Sequence, residues 1–241
     1  MDLHTSNRLP EKNARHFVNR DLYPSYKSFD DLIDLQHLRS LDAYLKQKII
    51  QYISTGDADY FCNEHTLDKT APLQPGVREV WLTRTVPGTP YKYLDINRTE
   101  LWEPTAQASD FALLMDFVHT LPFRSTGRIL LIFDDSGRSV PAHRDHERMD
   151  ICHEFIWFRT NLRKPFYVLN QHTGEKRYVE GYTAWFDTVN QYHGSDAADG
   201  LNFSFRVDGH FTEEFRRRIP YFGKNPAATP SIWARNPGGF N

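Results

Sequence analysis

Three side chains in this sequence could hold a reactive metal. Val140-Pro141-Ala142-His143-Arg144-Asp145 offers an imidazole and a carboxylate, and Tyr192-His193-Gly194 a second imidazole. Two histidines and one carboxylate are the donor set that holds a mononuclear non-haem Fe(II) on one face and leaves positions open for substrate and oxygen. His143 and Asp145 are two residues apart, so at the end of a strand both point to the same side. His193 follows Trp185-Phe186-Asp187-Thr188, which reads as a strand leading into a short turn. An HxD triplet alone is weak, and most are solvated loops. Its weight here comes from a β-rich setting, a later histidine at a strand end and an arginine on the next strand. The other histidines fit less well: His172 falls in a hairpin tip, His146 has the wrong parity, and His119 ends a helix, where it meets terminal carbonyls. Arg144 and His146-Glu147-Arg148 read as a solvated loop.

A site of this kind needs a rigid frame, and 241 residues are enough for one large domain or a core with a helical extension. The 17 Phe, 12 Tyr and 5 Trp favour half-buried strands and dry pocket walls. A formal charge of −2 gives no electrostatic reason to expect nucleic acid or an anionic membrane as partner. Cys62 and Cys152 are far apart with no CxxC spacing, which argues against a disulfide scaffold or structural zinc. No stretch approaches the roughly 18 apolar residues of a membrane span, and Met1–Thr5 lack a signal peptide's apolar run. A cytoplasmic location is expected, where ferrous iron is easier to keep.

Residues 1–27 read as an irregular arm. Region 28–126 holds helices and short strands that pack on a core. Ser28 is the expected N-cap of one bent helix or two consecutive ones running to about Ile53, with Leu32, Ile33, Leu35, Leu38, Leu41, Leu45, Ile49 and Ile50 at helical spacing. Residues 56–76 read as loop, Arg78–Arg84 and Tyr91–Ile96 as strands around a Pro-Gly-Thr-Pro turn, and Ala108–Thr120 as a helix. The core, 127–209, carries strands at 128–134, 139–143, 151–160, 166–170, 176–180, 183–187 and 202–208. Asp134-Asp135-Ser136-Gly137 and His172-Thr173-Gly174-Glu175 read as hairpin turns between them. A short helix near 212–218 and a tail complete 210–241, within one domain overall. Short strands with tight turns and flanking helices predict a mostly β sandwich or small barrel.

From Gly127-Arg-Ile-Leu-Leu-Ile-Phe133 through the His143/Asp145 segment, His153-Glu-Phe-Ile-Trp-Phe158, Tyr182-Thr-Ala-Trp-Phe-Asp187, His193 and Asn202-Phe-Ser-Phe-Arg-Val-Asp208, the chain resembles the iron(II)/2-oxoglutarate-dependent dioxygenases. The nearest branch is the aspartyl/asparaginyl β-hydroxylase-like one. The resemblance implies a double-stranded β-helix (cupin-like jelly-roll) core, with Fe(II) held by His143, Asp145 and His193 and 2-oxoglutarate chelating the iron. An arginine then pairs with the distal carboxylate of the co-substrate, two-pronged. Here Asn202 stands where that branch has its arginine, and Arg206, of the same parity as Asn202, Ser204 and Asp208, is the expected anchor. His153 is a second co-substrate candidate and Arg159 an alternative anchor, depending on which face of their strand lines the pocket. Trp185 and Phe186 read as core aromatics. Related halogenases carry a small residue where Asp145 stands, so hydroxylation is favoured.

The resulting expectation is hydroxylation of an unactivated C–H bond, with 2-oxoglutarate and O2 converted to succinate and CO2. The expected substrate is an amino acid or amino-acid-like small molecule. A cupin-type metal enzyme that does not use 2-oxoglutarate and a non-catalytic binding domain are the alternatives.

Overall fold

In the computed structural model, residues 26–55, 77–90, 92, 95–146, 153–170, 173–189 and 191–218 are described. The first helix, α1 (Leu35–Thr55), starts six residues later than an N-cap at Ser28 predicts. Asp34 is its cap: Oδ1 accepts the His37 N–H at 3.0 Å, the bond that an N-terminal turn otherwise lacks. Residues 28–34 instead form turns that bury Phe29. Leu38, Leu41, Leu45 and Ile49 form the buried stripe of α1.

The segment expected as one strand from Arg78 is two, β1 (Val77–Trp81) and β2 (Thr83–Thr85), broken at Leu82, whose N–H donates to Ile129 O. The partner of β2 is β3 (Trp102–Pro104). Tyr91, Tyr93 and Leu94 lie outside the described residues, and Asp95–Asn97 form a turn rather than the expected strand. Ala108–Thr120 is likewise two helices, α2 (Ala106–Asp110) and α3 (Ala112–His119), parted at Phe111. The strands β4 (Phe123–Asp134), β5 (Val140–His143), β6 (Phe155–Arg159), β7 (Phe166–Leu169), β8 (Lys176–Tyr178), β9 (Thr183–Ala184), β10 (Tyr192–Ser195) and β11 (Asn202–Phe211) follow, then α4 (Glu213–Arg218). The 151–160 strand is shorter than expected, since His153 and Glu154 precede it and residues 151–152 are outside the description. The 56–76 loop, His172, Glu147 and Arg148 are also outside it.

All strand pairs are antiparallel. One sheet has the order β1-β4-β11-β6-β9 and the other β5-β10-β7-β8. The chain crosses from β4 to β5, back to β6, over to β7 and β8, back to β9, over to β10 and back to β11. This alternation is a double-stranded β-helix. It corrects one turn: Asp134-Asp135-Ser136-Gly137 joins strands of different sheets and is a corner rather than a hairpin, with Gly137 at φ 69°. The β7–β8 connection is the expected hairpin.

The large sheet separates two environments by side-chain parity. Ile129, Leu131 and Phe133 of β4, Phe205 and Val207 of β11, and Ile156 and Phe158 of β6 join the core under α1 and α3. Phe117 of α3 meets Phe158 and Phe205 edge-on at 5.7 and 6.0 Å. Residues of the other parity, including Arg128, Leu130, Asn202, Ser204, Arg206, Trp157 and Arg159, face the space between the sheets. That identifies the Phe155/Trp157/Arg159 side of β6 as the inner one. Among the described residues no helix is long and apolar enough to cross a membrane.

Candidate metal centre

His143 ends β5 and His193 lies directly opposite it on β10, so one cross-strand pair carries both imidazoles. His193 was expected after a strand and a turn; it sits inside a strand of its own. Trp185 only bridges to Lys27, and the 183–187 strand is reduced to Thr183–Ala184. Asp145 lies just past β5, where its N–H donates to Thr188 O at 2.9 Å. The segment bearing the carboxylate is thereby tied to the turn that leads into β10.

Donor atoms of His143, Asp145 and His193 all lie within 4.8 Å of one another. His143 Nδ1 faces Pro141 O at 2.9 Å and His193 Nδ1 faces Gln191 O at 3.2 Å. A carbonyl can only accept, so each ring carries its proton on Nδ1 and presents the Nε2 lone pair inward. Both Nε2 atoms face the same oxygen, Asp145 Oδ1, at 3.9 Å from His143 and 3.0 Å from His193. Three lone pairs therefore converge on one point. A divalent cation resolves that convergence, and the histidine N–H bonds to backbone carbonyls are the orienting contacts that metal-bound histidines need.

The charges around the cluster agree. Burial would raise the Asp145 carboxyl, but His193 and Arg206 beside it hold it well below the usual carboxylate range. Burial pushes the His143 imidazole down, and the neighbouring His193 adds to this, which favours the neutral form that binds metal. Asp145 Oδ2 is not aimed at the histidines; it accepts from Arg206 Nη1 at 3.1 Å. Arg206 Nε and Nη2 both donate to Asp208 Oδ1, at 2.9 and 2.7 Å, and Asp208 Oδ2 accepts from Arg128 Nε at 3.1 Å. Phe155 lies 3.8 Å from the Arg206 guanidinium.

A cavity of about 440 Å³ opens over the cluster. Phe186, 5.0 Å from the His193 ring, and Phe166, at 6.0 Å, form its apolar wall. Arg206 reaches it, but His153 lies behind, with Nδ1 bonded to Asn97 Oδ1 at 2.9 Å. Arg159 lines the cavity while its guanidinium clasps the carbonyls of Gly181, Lys164 and Val179. Arg144 and His146 line it too, Arg144 lying over the Tyr192 ring at 5.1 Å.

Lining residues that escaped the sequence reading include Lys164, Ser195, Glu79 and Arg128. Lys164 precedes a strand in a polar run, and Glu79 sits on a short edge strand, so both look like solvated charges in a linear reading. Lys164 Nζ meets the Asp134 carboxylate and Arg138 O. Nearby in the cavity wall, Ser195 Oγ and Asn202 Oδ1 are buried without a hydrogen-bond partner among the described residues. Asn202 Nδ2 meanwhile points at the carbonyls of Ala198, Asp199 and Gly200.

No protein-family model matches the chain, and no curated protein is similar enough to match. Among solved structures the chain is similar to a prolyl-4-hydroxylase of Pseudomonas putida, at 15% identity and a TM-score of 0.40 over 83% of this chain and 98% of that one. It is also similar to a Trichoplax adhaerens prolyl hydroxylase in complex with a hypoxia inducible factor oxygen degradation domain peptide fragment. There the identity is 11% and the TM-score 0.47, over 87% of this chain and 93% of that one. A Burkholderia pseudomallei oxidoreductase of the 2OG-Fe(II) oxygenase family matches at 13% identity and a TM-score of 0.30, over 55% of this chain and 65% of that one. At these identities and scores the likeness assigns no chemistry to this chain, whose site is read from its own residues.

Proposed function

We propose that this protein is an Fe(II)/2-oxoglutarate-dependent oxygenase, of the aspartyl/asparaginyl hydroxylase-like kind, that hydroxylates an unactivated C–H bond of a small amino-acid-like molecule. The observation that carries the reading is the convergence of His143 Nε2, His193 Nε2 and Asp145 Oδ1, each oriented by a further hydrogen bond. The donor set is that of a facial Fe(II) site with open positions. When bound there, Fe(II) couples the oxidative decarboxylation of 2-oxoglutarate by O2, giving succinate and CO2, to insertion of the second oxygen atom into the substrate C–H bond.

The chain's own residues have three tasks. His143, Asp145 and His193 hold the metal. Phe166 and Phe186 exclude water from one side of it. The third task is holding the distal carboxylate of 2-oxoglutarate, and we assign it to Lys164 with Ser195 rather than to Arg206. Arg206 is engaged by Asp208 and Asp145 and acts on the metal through the latter. Ser195 is two residues from His193 on the same strand, roughly 6.6 Å along it. That suits a five-carbon diacid whose other end chelates the metal. Ser195 Oγ brings to that end of the cavity a hydroxyl with no partner among the described residues, and Lys164 an ammonium shared with one carboxylate, Asp134, where Arg206 is shared between two. Arg159 lines the wall at that end, its guanidinium on Lys164 O, and His153 lies outside the cavity, bonded to Asn97.

Anaerobic addition of Fe(II) and 2-oxoglutarate should produce a weak visible charge-transfer band. His143→Ala should abolish it. Lys164→Met should retain Fe(II) binding but need about tenfold more 2-oxoglutarate, the loss of one charged contact. Aerobic succinate release should follow the same order. Absence of the band in folded wild-type protein would overturn the reading, and metal binding without succinate release would favour a cupin-type enzyme of another chemistry.

A further inference from the structure

Among the described residues, Glu79 is the one carboxylate lining the cavity that neither the metal cluster nor the polar end at Lys164 employs. It lies on β1 opposite Ile132 of β4, on the inner face with Trp81. Behind it Val80 belongs to the core. Oε2 accepts the Trp81 indole N–H at 2.9 Å, and that is its only hydrogen bond among the described residues. Trp81 is itself fixed, stacked on Trp102 at 6.1 Å with the Arg128 guanidinium over its ring at 5.9 Å. The carboxylate is thus held by a rigid neutral donor, while the nearby Arg128 directs its Nε to Asp208.

A carboxylate used only for structure would be paired with a cation or turned to water. This one is half-buried at the cavity wall, and no cation pairs with it at ion-pair distance among the described residues. Burial pushes the Glu79 carboxyl above its ordinary range, against the Trp81 bond and the charge of Arg128, and the charge of Asp145 adds to the rise. An incoming cation relieves both effects, since it restores the lost solvation and screens the like charge. The neighbouring inner-face rows of the sheet carry Leu130 and Arg206, and Arg206 touches Asp145. Glu79 and the metal ligands therefore border one compartment. At about 440 Å³ it has room for a small molecule beside a diacid.

We infer that Glu79 reads the substrate by taking a protonated amine or guanidinium group, an assignment that rests on the oxygenase reading only for the chemistry that follows binding. Trp81 positions that carboxylate, and Leu130 and Ile132 beside it in the cavity wall supply the apolar contact that a cation's stem needs. The target carbon is then one that lies near the metal when a cationic group of the same molecule is held on the β1 side.

Isothermal titration of the full-length protein tests this with L-leucine, L-lysine and L-arginine as probes, and with N-acetyl-L-leucine and diacetyl-L-lysine as their uncharged-nitrogen counterparts. At least one amine probe should bind with a Kd below about 1 mM, and its acetylated form should bind about tenfold more weakly or worse. Glu79→Gln keeps an acceptor for the Trp81 indole. It should weaken the amine probe by about tenfold, leave the acetylated forms unchanged and leave the anaerobic Fe(II)/2-oxoglutarate band intact. Equal binding of a probe by wild type and Glu79→Gln, or no binding of any cationic probe by wild type, overturns the inference. Loss of the band from wild type would defeat the oxygenase reading while leaving this comparison valid.

Discussion

Arg206 decides how Asp145 can bind a metal. Its fork holds Asp208 through Nε and Nη2, so its orientation is set before it touches Asp145. The remaining contact, Nη1 to Oδ2, occupies the outer carboxylate oxygen and leaves Oδ1 toward the histidines. Asp145 is thereby prepared as a one-oxygen ligand, with charge alternating along Arg128, Asp208, Arg206 and Asp145. Lysine cannot reproduce that geometry, because a single ammonium has no planar fork to span two carboxylates. Arg206→Lys should lower Fe(II) or Mn(II) affinity at least about tenfold, as loss of an orienting partner does. The 2-oxoglutarate requirement at saturating metal should stay near that of wild type. Metal titration monitored by fluorescence checks the first part. If instead metal affinity is kept and the co-substrate requirement rises, Arg206 is the anchor that the strand parity suggests.

At the scale of elements, the site depends on how closely β5 and β10 approach. Gly194 follows His193, and a Cβ there would meet Val140 O at 2.6 Å and Tyr167 Oη at 2.8 Å. Val140 O is backbone of the strand that carries His143, so it cannot yield without moving that ligand. Gly194→Ala should separate the two strands, weaken metal binding more than His193's neighbours on the surface would, and cost about 1–3 kcal/mol as overpacking does. Chemical denaturation and metal titration of one preparation measure both, and unchanged values in both would refute the argument. The same junction explains what could be read from the chain. The convergence of His143, Asp145 and His193 was legible, because HxD states its own geometry through strand parity. The strands β4 and β11 were legible from their apolar runs. Strand β10 was not: Tyr-His-Gly-Ser has no apolar alternation, and it is a strand only because β5 and β7 pair with it on both sides. The start of α1 failed for a related reason, since Leu32 and Ile33 fit a helical period yet are held in turns by tertiary contacts. Lys164 and Glu79 carry no local signal, as their meaning depends on a wall assembled from segments far apart in the chain.

Across the whole molecule, two polar hubs fasten flanking segments to the barrel. In one, the Asp30 carboxylate accepts from the N–H groups of Tyr182 and Thr183 and from Thr183 Oγ1, tying the segment before α1 to β9. In the second, buried Glu154 accepts from Arg216 Nε and Nη2 at 2.9 and 2.8 Å and from the Phe211 N–H, locking α4 to the end of β11. Asn97 links this hub to the metal region. Its Nδ2 donates to Glu154 O and Gly209 O, so its Oδ1 is fixed as the acceptor for Glu154 N–H and for His153 Nδ1.

His153 is therefore held as the neutral Nδ1–H tautomer, and protonating it adds charge to a buried position that already faces two arginines. Burial, then Arg206 and Arg128, push its imidazole well below the ordinary 6.5. The unfolded chain binds that proton near pH 6.5 while the native protein does not, so the unfolded state holds more protons as pH falls below this value. Stability from this residue is complete above about pH 6.5 and declines on acidification toward the lower native pKa. One proton taken up on unfolding corresponds to a slope of about 1.4 kcal/mol per pH unit. His143, also pushed down, adds a contribution of the same sign in metal-free protein. Urea unfolding of chelator-treated protein between pH 7.5 and about 5 should show this acid loss. His153→Asn should lower stability at neutral pH but reduce the slope below pH 6.5 by up to about 1.4 kcal/mol per pH unit. An unchanged slope in that variant would mean that His153 is protonated in the native fold, and that the Asn97 hub does not hold it neutral.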